Sequence, residues 1–380
     1  MKEIRNIIDR PRNSSIELIK VIAIIGIVCS HVSLSIYAGN TELSNLPWIN
    51  DINMASMNIQ NWMLAFMKYL GEIGNSIFFV CTAWFLLDND QFKLRKEISL
   101  WFDVWLISLI MLIVFIIAGV AVNPGRIFQS IFPTIFANNW YITCYLLFYP
   151  LHGYLNKLIR VIGERELLAI CVVSSIIYLG MDMFVRSLFW GNELVWWIVI
   201  YLDIAYIKRY QVSLMNSKKF GRASLACGIV GLSFMIVGTE ILGSRISVLS
   251  DKVLRWDLNC NPFIVLIAIG ALILALQKRL VNKVVNYIFS ISLVVYLFHD
   301  NILVARYLRT YIWKEIYQSR GYHHVALLAL AYAAVLFLVT TAIASIYKLL
   351  TRRLNEKVSN RLYLILNRMF GWLENRLTEN

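Results

Sequence analysis

Three ionisable side chains interrupt the apolar run IELIKVIAIIGIVCSHV at residues 16–32: Glu17, Lys20 and His31. Each is costly in lipid, and ionisable groups inside membrane spans usually face a cavity or a pathway. Lys20 and His31 are eleven residues apart, so on an α-helix they share a face about 16 Å apart, offset by roughly 20°. Glu17 joins that face. Histidine exchanges protons near neutral pH, the property that a general base or a proton-coupled path requires. Structural roles stand beside these. Glu17 completes Ser14-x-x-Glu17, a capping-box pattern at the start of the helix. Lys20 is long enough to snorkel to an interface, and His31 also suits a buried, hydrogen-bonded position.

Four further segments carry candidate chemistry. YIFSISLVVYLFHDNIL places His299 about fifteen residues, roughly 22 Å, into a late span that runs parallel to the first. His31 and His299 are therefore expected at similar depth, although His299-Asp300 also reads as an interface marker. GEIGNSIFFVCTAWFLL offers Gly71 and Gly74 for close helix contact, and Asn75 and Ser76 for hydrogen bonding. NNWYITCYLLFYPL sets Asn139, Trp140 and Tyr141 at a boundary where an aromatic belt is also expected. FKLRK gathers Lys93, Arg95 and Lys96 at a membrane edge, where they orient the chain or bind the phosphates of a nucleotide-like donor.

The elements that position these residues follow from composition. Of the 380 residues 59% are hydrophobic and 16% charged, and the mean hydropathy is +0.64. A soluble domain cannot hide that much apolar surface, so the chain reads as an all-α integral membrane protein. Ten transmembrane helices are expected, at 15–37, 66–87, 98–121, 140–158, 166–180, 193–208, 224–242, 260–277, 284–306 and 323–349. Most of the 36 Lys and Arg residues then fall on the side of the N-terminus, which places both termini in the cytoplasm. The net charge of +13 is accounted for by anionic lipid of the inner leaflet and calls for no nucleic acid. The first span is too long and too charged for a cleaved signal peptide.

Residues 38–65 read as the longest outer loop. The tail NEKVSNRLYLILNRMFGWLENRL reads as an amphipathic helix lying along the inner surface. Six prolines give little sign of broken helices. Six scattered cysteines have no spacing that suggests zinc or a disulfide framework, and read as small packing residues.

Together these segments resemble the acyltransferase-3 family of membrane acyltransferases, particularly its surface-polysaccharide O-acetyltransferases. The Lys20-x10-His31 pair is similar to the family's basic residue and histidine on the first helix. GEIGNSIFFVCTAWFLL resembles its glycine-rich second helix, NNWYITCYLLFYPLHGYLNKLI its tryptophan-led segment, and SISLVVYLFH its late Ser…Tyr-Leu-x-His segment. The likeness covers about residues 12–310, in the same order. Three departures stand out. Thr82-Ala83-Trp84 replaces the usual Ser-Gly-aromatic, and Lys20 replaces the commoner arginine. Lys93-x-x-Lys96 is the best match to an inner Arg-x-x-Arg, whereas a register from Arg95 meets Ser99.

The resemblance implies a transferase domain over 1–350, a cytoplasmic tail over 351–380, and no fused hydrolase-like domain. It implies transfer of an acetyl group from acetyl-CoA, a substrate rather than a resident cofactor, to a glycan hydroxyl at a bacterial plasma membrane. His31, Lys20, Glu17 and His299 are then the catalytic candidates, with His31 as general base or transient acyl carrier. Asn75, Ser76, Trp140 and Tyr141 would meet substrate, and Lys93, Arg95 and Lys96 the donor. A succinyl donor, or a proton-coupled glycan or small-molecule transporter, are the alternatives.

Overall fold

The computed structural model describes residues 13–37, 58–181, 192–249, 252, 255–256, 261–321 and 323–378. Among these, all regular structure is helical. The main helices are α1 (Ser15–Tyr37), α2 (Ile59–Leu86), α3 (Leu94–Ile117), α4 (Pro124–Ile131), α5 (Trp140–Val161), α6 (Glu164–Ser175), α7 (Glu193–Tyr210), α8 (Lys218–Gly243), α9 (Pro262–Leu276), α10 (Lys283–His299), α11 (Arg309–Arg320) and α12 (Val325–Thr378). Asparagine starts many of them. Asn58, Asn123, Asn192, Asn261 and Asn282 each accept a hydrogen bond from a first-turn backbone N–H, which satisfies a donor that the helix leaves open. Pro124 and Pro262 follow two of these caps, where a missing N–H costs nothing.

Among the described residues each expected span overlaps helix, and the boundaries shift. Among the described residues five helices, α1, α2, α3, α8 and α12, are individually long and apolar enough to cross a bilayer. A sixth span arises if α10 and the bent segment Val304–Arg320 are counted together. Exposed apolar side chains on these helices, such as Ile117, Val230, Phe234 and Leu338, suit a lipid-facing surface.

Three expectations need correction. Helix α2 begins at Ile59, so the last part of the expected 38–65 loop is helical, while residues 38–57 lie outside the described residues. The capping box does not form: the Ser14 N–H donates to Leu280 O at 2.7 Å, and its Oγ accepts from Asn282 N at 3.0 Å, tying the start of α1 to the segment before α10. Helix α12 runs across residue 350 as one continuous helix of 54 residues, about 80 Å long. Finally, a helix does break although proline is absent there: α10 stops at His299, Asp300 caps it, and the chain turns by 62° through the π-helical turn Val304–Leu308.

Helices α1 and α2 lie at the centre, and their contact rests on small residues. A Cβ at Gly74 would stand 2.7 Å from Ala23 O, and one at Gly26 would stand 3.1 Å from Leu70 O. Close approach of this kind is what holds helices together where lipid removes the hydrophobic driving force. Ser30 and Ser33 of α1 then donate to Lys68 O and Leu64 O of α2, both at 2.7 Å. These bonds fix the rotation of α1 on either side of His31. On the far side of α2, Trp197 of α7 is fully buried among Phe79, Tyr141 and Phe148, with ring centroids 4.2–5.7 Å away. Each such aromatic pair contributes about 0.5–1.5 kcal/mol beyond its area. Cys81, Cys144 and Cys171 are buried in this same cluster as free thiols.

Candidate active site

His31 and His299 meet. His31 Nδ1 is 3.0 Å from His299 Nε2, and 3.2 Å from Asp300 Oδ1. His299 is fully buried, and its Nδ1 lies 2.8 Å from Val295 O, one turn back on α10. A carbonyl oxygen only accepts, so His299 Nδ1 carries the hydrogen and Nε2 presents a lone pair. His31 Nδ1–H then donates to that lone pair and to the Asp300 carboxylate. The remaining nitrogen, His31 Nε2, holds a lone pair and bonds to no described residue. The side chain of His31 is 18% exposed, so this nitrogen belongs to a residue that solvent reaches. The arrangement has the logic of a base held by an orienting carboxylate: one nitrogen is fixed, the other is left to take a proton.

Asp300 is itself held. Arg309, only 4% exposed, places Nη1 3.6 Å from Asp300 Oδ1 and donates through the same nitrogen to His299 O at 3.2 Å. Its Nε donates to Ser35 Oγ at 2.6 Å, and Ser35 Oγ donates to His31 O at 3.0 Å. Tyr332 of α12 donates to Arg309 O at 3.3 Å. The 62° bend makes this possible: a straight continuation of α10 would carry Arg309 about 15 Å beyond His299. Asn301 sets the bend by accepting from Leu303 N through its side chain.

A cavity of about 610 Å³ approaches the histidines from the N-terminal half of α1. Lys20, Asn75, Thr82, Tyr141 and Tyr296 are on its wall, and the Tyr296 ring lies 6.4 Å from His31 and 5.9 Å from His299. Lys20 is 8% exposed, with Nζ 5.1 Å from the centre of the Phe289 ring, and so packs inside the bundle and does not snorkel outward. A groove of about 1150 Å³ carries Lys93, Arg95 and Lys96 opposite Tyr363 and Asn367 of α12. Lys96 and Ser99 line both spaces, which therefore adjoin.

Lys20, Asn75 and Tyr141 thus share one connected space with the three basic residues at its mouth, and the histidine pair lies behind its Tyr296 wall. Ser76 and Trp140 stand apart from the cavity wall. Ser76 is fully buried, with its Oγ lacking a hydrogen-bond partner among the described residues, and Trp140 makes an edge contact with Tyr141 at 5.5 Å. Glu17 is buried at the start of α1 and is absent from the cavity wall. Sequence reasoning missed Asp300, Arg309 and Ser35 as parts of the site. The only signal for any of them was the adjacency of Asp300 to His299.

No curated protein and no solved structure matched the chain. A family profile did: the acyltransferase domain profile Acyl_transf_3 matches residues 13–348, a stretch that holds the histidine pair, the orienting Asp300–Arg309 pair, the cavity and its basic mouth. The chain therefore belongs to the acyltransferase-3 family and is a multi-pass membrane acyltransferase.

Proposed function

We propose that this acyltransferase moves an acetyl group from cytoplasmic acetyl-CoA to a hydroxyl of a cell-surface or exopolysaccharide glycan, at a bacterial plasma membrane with both chain termini in the cytoplasm. The observation that carries the reading is a base with one open nitrogen beside Tyr296, a wall residue of a cavity whose mouth is basic. Acetyl-CoA is polyanionic at its nucleotide end and neutral along its arm. Lys93, Arg95 and Lys96 attract the phosphates, while the cavity beyond them, whose wall mixes tyrosine, phenylalanine and aliphatic side chains with polar groups, suits the neutral arm and thioester.

A sugar hydroxyl is a weak nucleophile at neutral pH. His31 Nε2 removes its proton as the oxygen attacks the thioester carbonyl, and Asp300 stabilises the imidazolium that forms. The tetrahedral intermediate collapses, the C–S bond breaks, and the coenzyme A thiolate recovers the proton from His31. An acetyl ester and free coenzyme A leave. Lys20, on the same face of α1, steers the donor towards the histidines.

The test uses membranes holding the full chain, labelled acetyl-CoA and total cell-envelope glycan. Label should enter a base-labile ester, and excess unlabelled succinyl-CoA should not displace it. Displacement by succinyl-CoA would overturn the acetyl assignment, and no label in the glycan would overturn the acceptor.

A further inference from the structure

The histidine pair separates two cavities. Along α1, Lys20, Ile24 and Ile27 line the 610 Å³ cavity, Leu34 and Ser35 line a second cavity of about 190 Å³, and His31 falls between. Along the bent segment the order repeats: Phe289 to Tyr296 face the first, Asp300 to Thr310 face the second, and His299 falls between. The two spaces share no residue.

We propose that the smaller cavity is the acceptor site and that it takes one sugar ring of the glycan, presented to the histidines from the side opposite the donor. This rests on the acyl-transfer reading above and adds where the acceptor binds and what reads it. Size is the first argument. A volume of about 190 Å³ equals the liquid volume of about six waters, which suits a monosaccharide ring entering by one edge and excludes the nucleotide donor.

Lining is the second argument. Ser35, Asn138, Asp300, Arg306, Arg309 and Thr310 supply hydroxyl, amide, carboxylate and guanidinium groups, the mixture that reads neighbouring hydroxyls as donors and acceptors. Third, Arg309 is 4% exposed, yet its bonds to Ser35, His299 and Asp300 use only Nε and Nη1. Its Nη2 donates to no described residue and is not a buried atom, so it is open to an added oxygen acceptor. One sugar hydroxyl accepts from Arg309 Nη2, a second donates to Asp300, and a third is thereby delivered to His31.

The test fills the cavity while keeping its charges. Ala305, on the wall, is replaced by leucine, and Thr82→Leu fills the donor cavity as the counterpart. In full-chain membranes Ala305→Leu should raise the apparent KM for cell-envelope glycan about ten-fold and change that for acetyl-CoA by less than about two-fold. Thr82→Leu should do the reverse. Thr310→Val, which removes a hydroxyl at nearly constant volume, should raise the glycan KM a few-fold and serves if Ala305→Leu is not inserted. An unchanged glycan KM in both Ala305→Leu and Thr310→Val, or a raised acetyl-CoA KM in either, overturns the acceptor assignment while acyl transfer by the unmodified chain stands. A complete lack of transfer by the unmodified chain removes both readings together.

Discussion

At one end of the cavity Lys93, Arg95 and Lys96 stand exposed around the first turn of α3, with no ion pair among the described residues. Beyond the histidine pair, on the second cavity, Arg309 is nearly buried and bound through two nitrogens to Ser35, His299 and Asp300. The difference matches what the proposed reaction asks of each end. Capturing phosphates needs positive potential and tolerates mobile side chains, since attraction acts over several ångströms. Moving a proton needs fixed distances and one tautomer, and these come from carbonyl oxygens and a clamped carboxylate. The exposed end is therefore expected to set affinity and the buried end to set rate.

Four substitutions test that contrast. The largest effect belongs to Arg309→Ala, which leaves the Asp300 carboxylate buried without its cation. Loss of about 3–5 kcal/mol is expected, read as a lower thermal midpoint in detergent together with loss of transfer. Next, Asp300→Asn keeps the shape and removes the charge. Its kcat should fall about a hundred-fold at unchanged KM for acetyl-CoA, and an equal rise in that KM would mean Asp300 contacts the donor. Third, Lys96→Ala should raise the KM for acetyl-CoA several-fold with kcat nearly constant. The difference from the unmodified chain should shrink in high salt, because exposed charges are screened.

The smallest effect concerns the turn that carries Lys93. Asp90 accepts from Asn156 Nδ2 at 2.9 Å and from Arg160 Nη2 at 2.5 Å. The hydrogen bonds from Arg160 and then Asn156 hold its carboxyl down at about 2. A depressed carboxylate favours the ionised native form, so its contribution is complete above the unfolded value of about 3.9 and is lost as pH falls towards 2. The unmodified chain should lose thermal stability across that window, and Asp90→Asn should lose less of it.

The parts of this site that were legible in the sequence are those governed by a single helix. The eleven-residue spacing of Lys20 and His31 needs only the α-helical period, and the depth of His299 needs only its place in an apolar run. Gly71 and Gly74 signalled the close packing of α1 on α2 by their size. What stayed hidden depends on contacts between distant segments. Ser14 and Glu17 fit a local capping pattern, but the Leu280–Asn282 segment takes the Ser14 groups first. The expected span 284–306 continues through Asp300 because hydropathy does not register a 62° bend set by one asparagine cap and a π-helical turn. Arg309, outside that span, therefore had no visible reason to return beside His299. Composition changes near residue 350, which hides that α12 runs on unbroken to Thr378.

The proposed role of His31 Nε2 as the base for acyl transfer is tested by ester formation in His31→Ala membranes supplied with labelled acetyl-CoA and cell-envelope glycan. Transfer at least about a hundred-fold slower than in the unmodified chain, with insertion and acetyl-CoA binding intact, is the predicted result. Full transfer by His31→Ala would contradict the account.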